Sequence, residues 1–208
     1  MQQLAILFIF TFAAAFFASL PPGLLNMNAA KTGVQKGKGN GIIFGLGVAL
    51  AVMFQAYLSV RIAKFLSRNP QVIELLLQVA LVIFAILAIF FFVKGKKERR
   101  EVPEFVRSKK RNSFSKGVLL ASINLLAIPY YSGLNTLFNG QGIMDYRIID
   151  EVIFISAAGG GTFLAMYLYV FYFNKMERKT NSFSKKSNYI LSALMVVLFV
   201  ITLFRIFY

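Results

Sequence analysis

The sequence predicts an all-α integral membrane protein of six transmembrane helices, arranged as a 3+3 inverted repeat with broken first and fourth helices. Three observations carry that expectation. Hydrophobic residues make up 58% of the 208, so a soluble fold would have more core than surface to cover it. Six long runs contain no Asp, Glu, Lys or Arg, at 2–30, 39–60, 75–93, 117–144, 152–174 and 187–204. Each approaches or exceeds the roughly 18–20 apolar residues that cross a bilayer. The first and fourth runs are too long for one straight helix and both hold internal proline, so each is expected to break or turn before its loop.

Composition removes whole classes of chemistry. The chain has no cysteine and no histidine, which excludes disulfides, thiolate and imidazole metal ligands, Ser-His and Cys-His nucleophile pairs and histidine pH switches. No enzyme activity, cofactor or metal is expected. The net charge of +15 falls between the apolar runs. It suits an anionic membrane face better than nucleic acid. Met1-Gln2-Gln3 offers no basic leader, so a retained first span is expected rather than a cleaved signal peptide.

The first run ends in Ser19-Leu20-Pro21-Pro22-Gly23-Leu24-Leu25-Asn26-Met27-Asn28. Two prolines remove two backbone donors, glycine frees the dihedrals, and two asparagines supply amides. Broken backbone at membrane depth survives only when buried in protein or lining a wet cavity. Discontinuous helices of this kind build transporter sites near the midplane.

The second run places Gly37, Gly41, Gly45 and Ala49 four apart, beside a stripe of Gly47, Ala51, Gln55 and Ser59. Small residues at that spacing let a second helix approach closely, and packing is the simpler role for the glycines. Gln55 needs a partner at mid-span: it either bonds a neighbouring helix or faces a pathway. The third run carries Gln78, for which a packing hydrogen bond is the simpler reading.

Residues 94–116 form a basic linker, dividing the chain into a first three-helix half at 1–93 and a second at 117–208. Three spans per half is odd, so the second half enters from the opposite face and any repeat is inverted. Gly47 to Gln55 can be laid on Gly161 to Tyr169, and Ala18-Ser19 on Ala121-Ser122.

The fourth run holds Ser122-Ile123-Asn124-Leu125-Leu126-Ala127-Ile128-Pro129-Tyr130-Tyr131, an amide followed by a proline that frees a carbonyl near Leu125. In the fifth, Gly159-Gly160-Gly161-Thr162 is expected to interrupt the helix and leave backbone accessible. No run contains a carboxylate, whereas the midplane of a cation carrier usually holds one.

Orientation follows from Lys and Arg. With an outside N-terminus, the inner loops hold 18 of them and the outer side five: Arg61, Lys64, Arg68, Arg147 and Arg205. Both termini are then expected outside. In the alternative, Arg61, Lys64 and Arg68 mark an inner loop and one run does not span.

Pro22-Gly23, then Gly37, then Gly47, and later Ile123-Asn124-Leu125-Leu126-Ala127-Ile128 before an aromatic pair, together resemble the LysE/RhtB-type amino-acid exporters. That family has Pro-Gly-Pro near the end of its first span and Asn-Pro-Lys in its fourth. Here Leu24 stands for the second proline, Leu125-Leu126 for Pro-Lys, and a proline follows at Pro129. The resemblance implies a small multi-pass inner-membrane secondary exporter of amino acids or similar small polar metabolites, working by alternating access. It carries over Pro22, Gly23, Asn28 and Asn124 as site positions; the residues themselves add Gln55, Pro129 and Gly161 to the expected substrate pathway. The expected partners are a small-molecule solute, membrane lipid and, in a homo-oligomer, a second copy. The competing classes are a non-transporting membrane scaffold and a channel-like pore for neutral solutes.

Overall fold

The computed structural model describes residues 2–21, 23–96 and 113–207, all of whose regular structure is helical. Seven helices follow one another: α1 (Gln2–Ala18), α2 (Leu24–Lys36), α3 (Lys38–Arg68), α4 (Pro70–Lys96), α5 (Ser113–Ile123), α6 (Ala127–Gly140) and α7 (Ile148–Phe207). Two compact units group them: Met1–Ser67 with Phe105–Phe173, and Arg68–Glu104 with Asn174–Tyr208. The larger unit therefore draws helices from both sides of the basic linker, whose residues 97–112 lie outside the described ones.

Among the described residues, α3 and the segment Ile148–Tyr172 of α7 are each long and apolar enough to cross a membrane. The pair α5 and α6 passes the same test together, bent by 68° at its break. The other apolar helices are shorter: Gln2–Ala18 and Leu81–Phe90. The first run is thus two helices, α1 and α2, and the fourth is α5 and α6, as their length requires. The proline in the fourth run acts differently from expectation. Pro129 is the third residue of α6, inside the first turn, where a missing N–H costs no helical bond. The break itself falls at Asn124–Leu126, upstream of it.

Arg61, Lys64 and Arg68 lie in the last turns of α3, which runs through all of them and ends at Arg68. One further expectation is corrected. Gly159-Gly160-Gly161 does not interrupt its helix, because α7 is continuous there. These glycines act by close approach. A Cβ on Gly161 would collide with the Phe12 carbonyl and stand 3.0 Å from the Ala15 Cβ and the Phe16 nitrogen, and one on Gly159 would meet Met53 Cγ at 2.5 Å.

The same device joins α3 to α5. A Cβ on Gly47 would collide with the Phe114 carbonyl and approach the Val118 nitrogen at 3.1 Å, while one on Gly117 would collide with the Phe44 carbonyl. Gly47 and Gly161, matched in the internal alignment, therefore do the same work against α5 and α1. Gly37, with φ of +90°, turns the chain from α2 into α3 in a conformation that only glycine adopts without strain.

Gly47→Ala is expected to destabilise by about 1–3 kcal/mol, because backbone cannot give way as a side-chain tip can. Gly39→Ala, whose Cβ would meet nothing within 4 Å, should be neutral. Thermal melts of the two purified variants check this contrast; equal melting temperatures would mean that α3 and α5 do not touch at Gly47.

Contacts at the ends of the larger unit set helix direction. At one end, Gln3 Nε2 donates to the Gly142 carbonyl at 2.7 Å, and Arg61 pairs with Glu151. At the other, Lys38 Nζ lies 4.7 Å from the centre of the Phe171 ring. The start of α1, the end of α3, the end of α6 and the start of α7 thus share one end. α3 and α7 run antiparallel. A belt of exposed apolar side chains, among them Ile9, Phe10, Leu46, Leu50 and Phe54, covers the outside, as lipid contact requires. In the smaller unit, Ser192 Oγ of α7 donates to the Ala88 carbonyl of α4 at 3.0 Å, which satisfies a hydroxyl that lipid would leave unpaired.

Candidate functional site

Both helix breaks present carbonyls with acceptor capacity to spare, and side chains of the larger unit take it up. At the first break, Pro21 and Pro22 supply no N–H groups. Asn26 Nδ2, buried in α2, donates back to the Ser19 carbonyl at 2.7 Å and the Pro21 carbonyl at 2.8 Å. The carbonyl between them, on Leu20, accepts from the Tyr169 hydroxyl of α7 at 2.7 Å. Three consecutive carbonyls are thereby held by two side chains.

At the second break the donors come from α3. Gln55, 4% exposed, points Nε2 at the Ala121 carbonyl (3.0 Å) and the Asn124 carbonyl (3.1 Å). One turn on, Ser59 Oγ shares its proton between the Gln55 carbonyl at 2.7 Å and the Ile128 carbonyl at 2.9 Å. Ser132 Oγ returns a longer contact, 3.4 Å, to the Ser59 carbonyl. These are charge-free bonds in a low-dielectric interior, where each unpaired group would cost several kcal/mol.

The tyrosine pair that follows the second break reaches the first. The Tyr130 hydroxyl donates to the Ala14 carbonyl of α1 at 3.0 Å. Ser19 Oγ lies 3.5 Å from Thr162 Oγ1 of α7. Tyr131 is packed edge-on to Phe154, 5.9 Å between ring centres, which fixes its direction. The Tyr130 bond therefore ties the start of α6 to the last turns of α1, and the Ser19 contact ties the first break to α7.

The residues expected on the pathway are distributed as follows. Pro22 lies outside the described residues. Gly23 is exposed and extended at the start of α2, where its carbonyl accepts from the Met27 nitrogen. Asn28 spends its amide on the Leu24 carbonyl of its own helix at 2.8 Å, and its neighbour Asn26 serves the break instead. Asn124 is exposed, and its side chain makes no hydrogen bond among the described residues, although its carbonyl anchors Gln55. Pro129 is exposed in the first turn of α6, and Gly161 packs on α1. Gln55 and Asn124 are thus joined by a hydrogen bond, while among the described residues Asn28 bonds to α2 itself and Gly161 packs on α1. Sequence reasoning missed Tyr169 and Tyr130. The signal for Tyr169 was present, since the internal alignment lays it on Gln55.

The end shared by α3 and α7 holds the charge. Glu151, buried in the first turn of α7, pairs with Arg61 at 2.6 Å and Lys64 at 3.4 Å, both from α3. Arg61 also covers the Tyr57 ring at 4.9 Å. Asp150, fully buried, accepts from the Arg147 guanidinium at 3.0 Å twice over and from the backbone nitrogens of Asp145 and Arg147 at 3.2 Å. Both carboxylates sit at a helix N-terminus, where the backbone dipole favours them. The Asp150 bond holds the Arg147 guanidinium pKa above its ordinary value.

Neither a curated protein nor a solved structure matches the chain. The family model of the LysE type translocator matches residues 16–205, which takes in both breaks and every donor that holds them. The chain, a multi-pass helical membrane protein, belongs to the LysE type translocator family, whose members are membrane transporters rather than enzymes.

Proposed function

We propose that this protein is a secondary exporter of amino acids or similar small polar metabolites, working by alternating access around its two broken helices. The observation that carries the reading is the exchange of staples between them. α7 closes the α1–α2 break through Tyr169, and α3 closes the α5–α6 break through Gln55. Gln55 and Tyr169 occupy matched positions, as do Gly47 and Gly161, and the helices that bear them run antiparallel. That is the relation expected of a 3+3 inverted repeat whose halves are intertwined, and a rocking motion of one half against the other then has a symmetric counterpart.

In this reading the uncommitted amide of Asn124 faces the solute, beside a backbone already satisfied by Gln55. The charge distribution supports an inner-membrane orientation with both termini outside: Lys and Arg favour the expected inner side by 18 to five. The end that carries Glu151 is then the outer one.

Flux into inside-out vesicles, with a panel of amino acids and related metabolites and the proton gradient intact or collapsed, tests the proposal. At least one solute should accumulate saturably in the parent. Asn124→Leu should keep the parental melt, since it breaks no bond, and lose most of that flux. In the same vesicles Gln35→Cys should react with an impermeant maleimide and Gln141→Cys should not. A parent that moves no solute is a scaffold, and non-saturable flux marks a pore.

A further inference from the structure

α2 is short, stands between two places where the chain turns, and buries little. It follows Gly23, which is extended, and ends at Gly37, whose φ is +90° and where an added Cβ would meet nothing within 4 Å. Its buried residues are Asn26, Ala29, Ala30, Thr32 and Gly33. Leu25 packs on the core but is only half-buried. None of the buried five is a large apolar group, so parting α2 from its neighbours forfeits few van der Waals contacts.

α6 holds the corresponding place in the second half. It has 14 residues against 13, follows a break, and is succeeded by a glycine of positive φ, Gly142 at +68°. Its anchorage is different. α6 buries Tyr131 and Phe138, which both pack edge-on to Phe154 of α7, at 5.9 and 6.5 Å between ring centres. Elements that move in function come from the weakly packed parts of a structure, and they turn on a few positions at element ends. On both counts α2 is the element that moves.

α2 covers the seam between α3 and α7. A Cβ on Gly33 would stand 3.0 Å from Val170 Cγ1 and 3.7 Å from Val170 Cβ, and one on Gly41 of α3 would come within 2.9 Å of the Gly33 Cα. The chain of the first break goes with α2, because Asn26 holds the Ser19 and Pro21 carbonyls. Where that chain leaves α1, the helix has loosened to a three-residue turn, Leu20 nitrogen to Phe17 carbonyl. The Tyr169 hydroxyl on the Leu20 carbonyl, at 2.7 Å, then fastens this body to α7. We propose that α2, with the chain of the first break, is a lid that pivots at Gly37 and at the end of α1, and that Tyr169 is its catch. The proposal rests on the exporter reading, in which the Lys38 end is the inner one, and it names the element whose lifting admits solute there.

The chain lacks cysteine, so single cysteines report their own surroundings. Ala30 of α2 and Ala165 of α7 are both fully buried, and Ala165 lies one turn beyond Gly161, on the side of α1. In vesicles opened to reagent on both faces, Ala30→Cys should react with an impermeant maleimide on the order of tenfold faster than Ala165→Cys. Tyr169→Phe keeps the ring and removes the catch, and should raise the Ala30→Cys rate severalfold more. Ala30→Cys reacting no faster than Ala165→Cys, or at a rate that Tyr169→Phe leaves unmoved, overturns the lid. A lock provides the second measurement. Gly33→Cys with Val170→Cys places two Cβ atoms about 3.7 Å apart, the separation a disulfide takes without backbone movement. Oxidation should stop flux and a reductant should restore it. Flux that survives formation of the bond, or oxidation that forms no bond, overturns the lid. The labelling needs no solute, so a parent that moves none yet shows the labelling pattern keeps the lid and loses the exporter reading.

Discussion

Gln55→Leu is expected to lower stability by roughly 1–3 kcal/mol and to abolish most transport. The stability term is bounded because the Ala121 and Asn124 carbonyls each keep one backbone partner, the Asn124 and Ala127 nitrogens at 3.0 and 3.4 Å. Gln55 supplies their second bond and ties both to α3. The transport term is larger because the same two bonds set the 68° bend between α5 and α6. Without them the break is free to re-form as a straighter helix. Gln55→Glu should be worse still. It would turn an acceptor-only carboxylate towards two carbonyl oxygens in a buried position, and an unpaired buried charge costs several kcal/mol. Yield and thermal melt in detergent, with flux in vesicles, check the series, whose order is parent, Gln55→Leu, Gln55→Glu. A Gln55→Glu protein that accumulates and transports like the parent would mean that Gln55 does not hold the break.

The second large effect is asymmetric. Glu151 is nearly buried, its side chain 8% exposed, whereas Arg61 is 46% and Lys64 28% exposed. Removing both cations strands the buried carboxylate, so Arg61→Met with Lys64→Met should cost about 2–3 kcal/mol, below the 3–5 of a fully buried pair because water still reaches the cations. Glu151→Gln leaves two half-exposed cations that water solvates, and should cost about 1 kcal/mol or less. The pair joins α3 to α7, the helices that staple the opposite breaks. In the alternating-access proposal, opening of that end parts it, so Glu151→Gln should also raise the labelling rate of a cysteine at Tyr57 from that side. Melts of the two variants, and the Tyr57→Cys rate with and without Glu151→Gln, check both claims. Equal destabilisation by the two changes would place Glu151 in water.

Parts of this arrangement are legible in the residues alone. The break after Ser19 follows from Pro21, Pro22 and Gly23, whose missing donors and free dihedrals act on their own neighbours. The requirement that Gln55 have a partner follows from one amide in an apolar run. Other parts were misread for identifiable reasons. Pro129 looks like the cause of the second break because proline ends helices, but proline is equally at home in a first turn, and only the end of α5 decides which case holds. Gly159-Gly160-Gly161 looks like an interruption because glycine is a poor helix former. Tertiary contact overrides that cost, since Phe12 and Met53 need the space. Asn28 and Asn26 cannot be ranked by spacing when both lie within a turn and a half of the break.

By itself the sequence determined the class of the protein, the number of apolar runs, the break at Pro21-Pro22-Gly23 and the absence of imidazole and thiolate side chains. These are matters of composition, local sterics and period, each acting over a few residues. Only the tertiary structure decided which donor meets which carbonyl: Tyr169 on Leu20, Gln55 on Ala121 and Asn124, Glu151 on Arg61. Such pairings join residues 66 to 149 positions apart. The reason is geometric, because a hydrogen bond tolerates a few tenths of an ångström, and that tolerance is met only once Gly47 and Gly161 have let the helices close.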